Sequence, residues 1–323
     1  MTKDWTTDIQ YLGGSPDKEK AIIDRLVADV HREVGEIARK SGRPPQRPQH
    51  TKMIGGITNA IFRVAAGLPD EFRYGFLIPG AEYPAVVRLS NAAAYPVKED
   101  MNDLHGAAIA VYPNVGDTHH WLMTNAEVHH ARNAVEALAT SIAFCFPGKF
   151  NKLKGTLRLI RQLGLGNTLR IVSTLKAQTA IPVESMATET FFSRAPIRIG
   201  NTAVKYRLYP TATKRTPQQS EPDLSLELRT RLLRGEVSYS LQVQRYVSPA
   251  ATPIEDATVL WKSPFETIAT LILPSQQLAD KTAFFENHHF NPWQVNTPDF
   301  EPLGNMNRAR RMVYASAVTA QKH

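Results

Sequence analysis

Asn307-Arg308-Ala309-Arg310-Arg311-Met312-Val313-Tyr314 is the stretch on which the reading of this chain turns. It lies inside a segment, Asn305 to Val318, that reads as a helix. Residues four apart on a helix share a face, so the guanidinium of Arg310 can reach the phenol oxygen of Tyr314. A phenol normally loses its proton near about pH 10, and a neighbouring arginine favours the phenolate. Taken alone, Tyr314 reads as a tyrosine at the packing boundary of an amphipathic helix. The segments upstream change that reading.

Working back along the chain, the first element is a helix from about Pro16 to Arg39. Ser15 can cap it, Pro16 suits its first turn, and Asp17 and Glu19 sit at the positive end of its dipole. Ile23, Leu26, Val27, Val30, Val34 and Ile37 form its apolar stripe, and Gly42 and Pro44 stop it. From Arg47 to about Thr124 the pattern changes to strands: Val86 to Ser90, Ala107 to Tyr112 and Trp121 to Thr124, punctuated by Asn91, Gly106 and Gly116. Ala131 to Phe144 and Lys152 to Thr179 read as two helices separated by Pro147-Gly148. Strands return at Ala203 to Tyr209, Glu236 to Tyr246 and Thr267 to Leu273. Strands, helices, strands and a last helix make an α+β order, not the regular alternation of a doubly wound parallel sheet.

The bulk numbers exclude several classes. A chain of 323 residues, 42% hydrophobic, has enough apolar content for a real core, and 18 glycines and 22 prolines give no sign of low complexity. Cys145 is the single cysteine, which rules out an internal disulfide or a cysteine-ligated zinc or iron–sulfur site. With a polar segment from Met1 to Tyr11 and no stretch apolar enough to span a bilayer, a cytoplasmic location is expected. The net charge is +8. It is unevenly placed: no acidic residue occurs between Glu136 and Glu184, where Lys149, Lys152, Lys154, Arg158, Arg161, Arg170 and Lys176 lie. These cations alternate with Leu and Ile rather than with stacking aromatics, so nucleic acid is not expected as a partner. Residues 149–176 read either as a solvated basic helix or as a peripheral membrane or lipid contact.

Leu163-Gly164-Leu165-Gly166 lacks the third glycine and the preceding strand of a dinucleotide fingerprint. The histidines include the adjacent pairs His119-His120, His129-His130 and His288-His289. Neighbours on a strand point to opposite faces, so such pairs are poor chelators.

Three separated segments carry chemistry. The first is the helix already quoted, preceded by Phe290-Asn291-Pro292-Trp293 and Pro302-Leu303-Gly304. The second is Arg47-Pro48-Gln49-His50. The third runs Val87-Arg88-Leu89-Ser90-Asn91, then Asp103-Leu104-His105-Gly106-Ala107-Ala108, then Asn125-Ala126-Glu127-Val128. In this order the segments resemble the haem catalases, in particular short catalase-related chains of the catalase-like peroxidase and allene oxide synthase kind. Phe191 to Arg198, Ala203 to Tyr206 and Pro253 to Ala257 with Trp261 add weaker echoes. The resemblance covers about residues 44 to 318.

It implies an antiparallel β-barrel with surrounding helices, an N-terminal helical arm over residues 1–43 and a haem-binding domain over 44–323. It implies haem b with Tyr314 as the iron ligand, Arg310 supporting the phenolate, and Arg47 and Arg88 holding propionates. His50 would be the distal acid–base, oriented by Ser90, with Asn125 hydrogen-bonding peroxide. The function it implies is a haem-dependent enzyme acting on hydrogen peroxide and on organic hydroperoxides, working as a homo-oligomer. Two alternatives stay open: a fatty-acid hydroperoxide lyase or isomerase, and a haem-binding protein without turnover. The sequence departs from the family in its shortness, in Gln49, in Gln321 where a further arginine is usual, and in His129 and His130 where a pair of phenylalanines is usual. His129, four residues past Asn125, is the other imidazole to which the distal role could fall.

Overall fold

The computed structural model describes residues 4–41, 50–93, 103–145, 148–212, 223–280 and 282–320. Arg47, Gln49 and Gln321, and the expected helix stop at Gly42 and Pro44, lie outside them, as does the expected boundary between 43 and 44.

Ten strands are described: β1 (Met53–Val64), β2 (Glu82–Asn91), β3 (His105–Val111), β4 (His119–Thr124), β5 (Phe191–Phe192), β6 (Ile197–Ile199), β7 (Thr202–Pro210), β8 (Val237–Arg245), β9 (Phe265–Leu273) and β10 (Phe300–Pro302). They form one antiparallel sheet in the order β10-β6-β7-β5-β4-β3-β2-β1-β9-β8, and β7 also pairs with β8. That last pairing, Val204↔Arg245 through Pro210↔Tyr239, closes eight of the strands into a barrel and removes their free edges. β6 and β10 extend the sheet beyond β7 as a flap.

Period-two alternation fills the barrel. Phe62, Leu89, Ile109, Trp121, Phe191, Leu208, Tyr239 and Leu271 are all inside one buried cluster. β4 shows the rule: His119, Trp121 and Met123 are buried, and His120, between them, turns to the other face, its ring 5.6 Å from that of Phe290. The strands expected from the sequence are present. β1, which went unremarked as an element, contributes Ile57, Phe62 and Val64 to the core and carries two register shifts against β2.

The helices are α1 (Pro16–Ser41), α2 (Ala134–Ala143), α3 (Lys149–Leu163), α4 (Leu165–Thr179), α5 (Leu224–Arg234), α6 (Thr282–Asn287) and α7 (Gly304–Ala320). Ser15 Oγ accepts a hydrogen bond from the Lys18 amide, as its capping role requires. The single helix expected over Lys152 to Thr179 is a correction: it is two helices, α3 and α4, broken at Gly164. Gly164 has φ 80°, a left-handed conformation that a side chain disfavours and that ends α3 while starting α4.

α1 and α7 pack with α2 in a second buried cluster: Ile23 and Val27 meet Ala134, Met306 and Ala309. An ion-pair knot fastens this layer. Arg308 reaches Glu19 from α1 at 2.5 Å and Glu255 from the loop after β8 at 3.0 Å. Glu255 also accepts from the Asn305 amide, and Asn305 Oδ1 accepts from the Ala134 amide at the start of α2. The role assigned to Glu19 from sequence, favouring the helix dipole, is therefore the lesser one.

The Glu19 side chain is almost fully buried. Arg308→Ala should cost about 3–5 kcal/mol, because it leaves a buried carboxylate without its partner. Arg63→Ala, at the exposed pair with Glu82, should cost no more than about 1 kcal/mol. Urea denaturation of the two variants compares them directly; equal costs would show that the knot does not fasten α7.

Candidate functional site

His50 sits just before β1 with φ 57°, a left-handed backbone uncommon outside glycine. Three contacts hold it there. Its amide donates to Ala92 O at 3.1 Å. Arg88 Nη2 donates to its carbonyl at 2.7 Å and to that of Thr51 at 3.3 Å. Its ring Nδ1 lies 3.1 Å from Ser90 Oγ. Arg88 and Ser90 alternate on β2, both buried, so one strand supplies the backbone clamp and the ring partner. Opposite Ser90 in β3 is Gly106, where a Cβ would stand 2.5 Å from His50 Cε1. The imidazole occupies that space.

His105 follows Asp103 and opens β3. It is buried, and neither of its ring nitrogens has a hydrogen-bond partner. Asn125, at the end of β4, grips the backbone of His105: its amide donates to His105 O at 2.9 Å, and its Oδ1 accepts from the His105 amide at 2.8 Å. His50, Ser90 and Arg88 thus meet at one end of β1 to β4, and Asn125 lies at the same end, bonded to the backbone of His105.

The next residue back from Asn125 leads to the second group. Thr124 Oγ1 accepts from Arg194 Nη1 at 3.2 Å. Arg194 is buried at φ 62°, and its Nη2 lies 3.3 Å from His130 Nδ1. Burial, with help from the neighbouring Arg310 charge, pushes the Arg194 guanidinium down to about 9. The rings of His129 and His130 lie against each other with centroids 4.3 Å apart and planes tilted by 33°, a departure from the opposite-face arrangement expected of adjacent histidines, because they follow β4 instead of lying in it. Burial and then Arg194 hold both imidazoles neutral, His130 at about 3. His129 also feels Arg310, so it belongs to the group around α7.

On α7, Arg310 Nη1 donates to Asn307 Oδ1 at 3.2 Å, and Asn307 O accepts from Trp293 Nε1 at 2.8 Å. Tyr206, on β7, is pushed up to about 12 chiefly by burial; both Arg310 and Tyr314 act on it electrostatically. Its hydroxyl donates to Leu122 O at 3.1 Å. Arg310 therefore lies near Tyr206, Arg194 and His129 on the helix side, with Tyr314 near Tyr206, and a cavity of no more than water size lies beside Arg310, Asn307 and Tyr206. Arg194, His129 and His130 were not singled out for these contacts from sequence; the only signal was the place of the histidines where phenylalanines are usual. Among the described residues no cluster of three or more His, Cys, Asp or Glu could hold a metal ion.

With this geometry in place, comparison with known proteins gives the fold. No family model matches the chain, and no curated protein matches it. Among solved structures it is similar to a fungal catalase, with a TM-score of 0.68 and 16% identity, covering 88% of this chain and 61% of that one. A bacterial catalase gives 0.64 and 17%, covering 88% and 59%. Catalase A from Saccharomyces cerevisiae gives 0.64 and 16%, covering 87% and 62%. The chain has the catalase fold, and it spans about three-fifths of the length of the catalases it matches.

Three buried histidines set an acid limit on this fold. Burial pulls His105 and His120 down to about 4 and His119 to about 3, against 6.5 unperturbed. Below about pH 6.5 the unfolded chain takes up protons that the folded chain refuses, so this stability is present above that pH and drains away as the pH falls toward 4. Each such group contributes about 1.4 kcal/mol per pH unit in that window. Urea midpoints should fall steeply between about pH 6.5 and about pH 5, before most carboxylates titrate. A flat profile there would mean these imidazoles are solvated.

Proposed function

We propose that this protein is a haem-dependent hydroperoxide enzyme of the catalase or peroxidase type. The observation that carries the reading is the His50–Ser90 pair at 3.1 Å, set at the barrel end where Asn125 and Thr124 lead through Arg194 to the Arg310–Tyr314 face. In this reading the residues would hold haem b. A phenolate at Tyr314 would take the iron, Arg310 would stabilise that phenolate, and Arg88, with Arg47, would meet propionates. When bound, the haem supplies the redox chemistry that breaks the peroxide O–O bond.

The chain's own residues move the proton. In the tautomer in which His50 Nδ1 donates to Ser90 Oγ, Nε2 is the nitrogen that can accept a proton. It takes a proton from one peroxide oxygen and returns it to the other, which then leaves as water or alcohol. Asn125 commits its Oδ1 to the His105 amide, so its Nδ2 is the group that donates to peroxide. A carrier without turnover has no use for such a pair, which argues against the non-catalytic reading. Rearrangement of a fatty-acid hydroperoxide is the second reading, raised by His129 and His130 standing where the family resemblance would place phenylalanines.

The purified protein should take up ferric haem b, measured as its pyridine haemochrome, and Tyr314→Phe should lose normal ligation. Failure of the wild type to load with haem would end this reading. His50→Ala should keep the haem while slowing reaction with peroxide at least about a hundredfold, the usual worth of a positioned acid–base group. An unchanged rate would remove His50 from the role and leave His129 as the next imidazole to substitute. Comparison of kcat/KM for hydrogen peroxide, a small alkyl hydroperoxide and a fatty-acid hydroperoxide assigns the substrate. Alcohol products mark reduction, and epoxide or aldehyde products mark rearrangement or cleavage.

A further inference from the structure

α3 and α4 form a helical hairpin hinged at Gly164, with two unlike faces. One face is seated on α2: Leu159 is buried with Ala139 and Ala143, and Gly155 lies so close to the Ala143 carbonyl that a Cβ would collide with it. Thr168 and Ile171 are the buried residues of α4. The other face carries Phe150, Leu153, Leu157, Leu165 and Leu169, each more than half exposed. Their spacing of three or four residues within each helix makes a continuous stripe. Scattered exposed leucines need no explanation, but a contiguous exposed stripe marks a contact surface.

The charge on the hairpin identifies the contact. Seven cations and no carboxylate lie between Glu136 and Glu184, so the segment holds most of the chain's net charge of +8. Arg170 turns inward to Glu136. The lysines flank the stripe, and Lys154 Nζ rests 4.6 Å over the ring of Phe150. A second copy of this face would bring like charges together. A polynucleotide would use the cations and leave the apolar stripe in water. A bilayer with anionic headgroups takes both at once, the leucines at the acyl boundary and the lysines among the headgroups.

We propose that the α3–α4 hairpin is a peripheral docking surface for anionic lipid bilayers. No helix among the described residues is long and apolar enough to cross a membrane, so the contact is interfacial. The proposal stands apart from the haem reading, since neither hairpin helix carries a residue assigned to the haem.

The test is sedimentation of the full chain with vesicles of phosphatidylcholine alone and of phosphatidylcholine mixed with phosphatidylserine. Binding should appear with the mixed vesicles only and weaken as salt is raised. Lys152→Ala and Lys154→Ala should each lower partitioning about fivefold, and Leu153→Glu should lower it about tenfold or more. All three positions are exposed, so an unchanged melting temperature confirms that each variant folds. Equal binding to both vesicles, binding to neither, or variants that bind like wild type would overturn the proposal. So would a chain that self-associates in solution and becomes monomeric on Leu153→Glu, since a second copy would then be the occupant.

Discussion

Arg308 is fixed by two carboxylates that come from opposite ends of the chain, Glu19 on α1 and Glu255 in the loop after β8. Its remaining guanidinium donor goes to Gln10 O at 2.8 Å, and Tyr11 lies beneath it at 4.8 Å. A fork of donors in one plane cannot satisfy three partners unless all three are in place, which makes this arginine a geometric constraint and not just a charge. Arg310 is two residues further along the same helix, and Tyr314 one turn beyond that. The direction in which they point is thus decided by residues that touch neither of them. A lysine at 308 would keep the charge and lose the fork.

Two arginines lie near each other in the neighbourhood that α7 faces. Arg194 and Arg310 lie close enough for each to be felt by the other, and their hydrogen-bond acceptors are a threonine hydroxyl, an amide oxygen and an imidazole nitrogen, all neutral. Two such cations in a buried place are costly unless an anion joins them. His129 and His130 meet the constraint by staying neutral.

Much of this was legible in the sequence because it is periodic or local. The strand alternation in Trp121 to Thr124 and the Ser15 cap of α1 each follow from nearest neighbours. The pairing of His50 with Ser90 was expected from resemblance and depends on distant strands coming into register. What was hidden is non-local or works through absence. The role of Glu19 needs Arg308, almost the whole chain away. The grip of Asn125 on the His105 backbone needs the β3–β4 pairing. The break at Gly164 was masked because its leucine neighbours continue the helical pattern on both sides, and only the positive φ separates the two helices.

The barrel and the α1–α2–α7 layer have separate buried clusters, and the candidate site lies along their boundary. Strands β1 to β4 supply His50, Ser90 and Asn125 from the barrel side; α7 supplies Arg310 and Tyr314 from the other. Such an arrangement lets the wall between them change while both cores stay intact, because the residues on the wall, His129 and His130 among them, fill neither core. A chain three-fifths the length of the catalases it is similar to keeps their fold. His129 and His130, beside Arg194, are polar residues at that boundary.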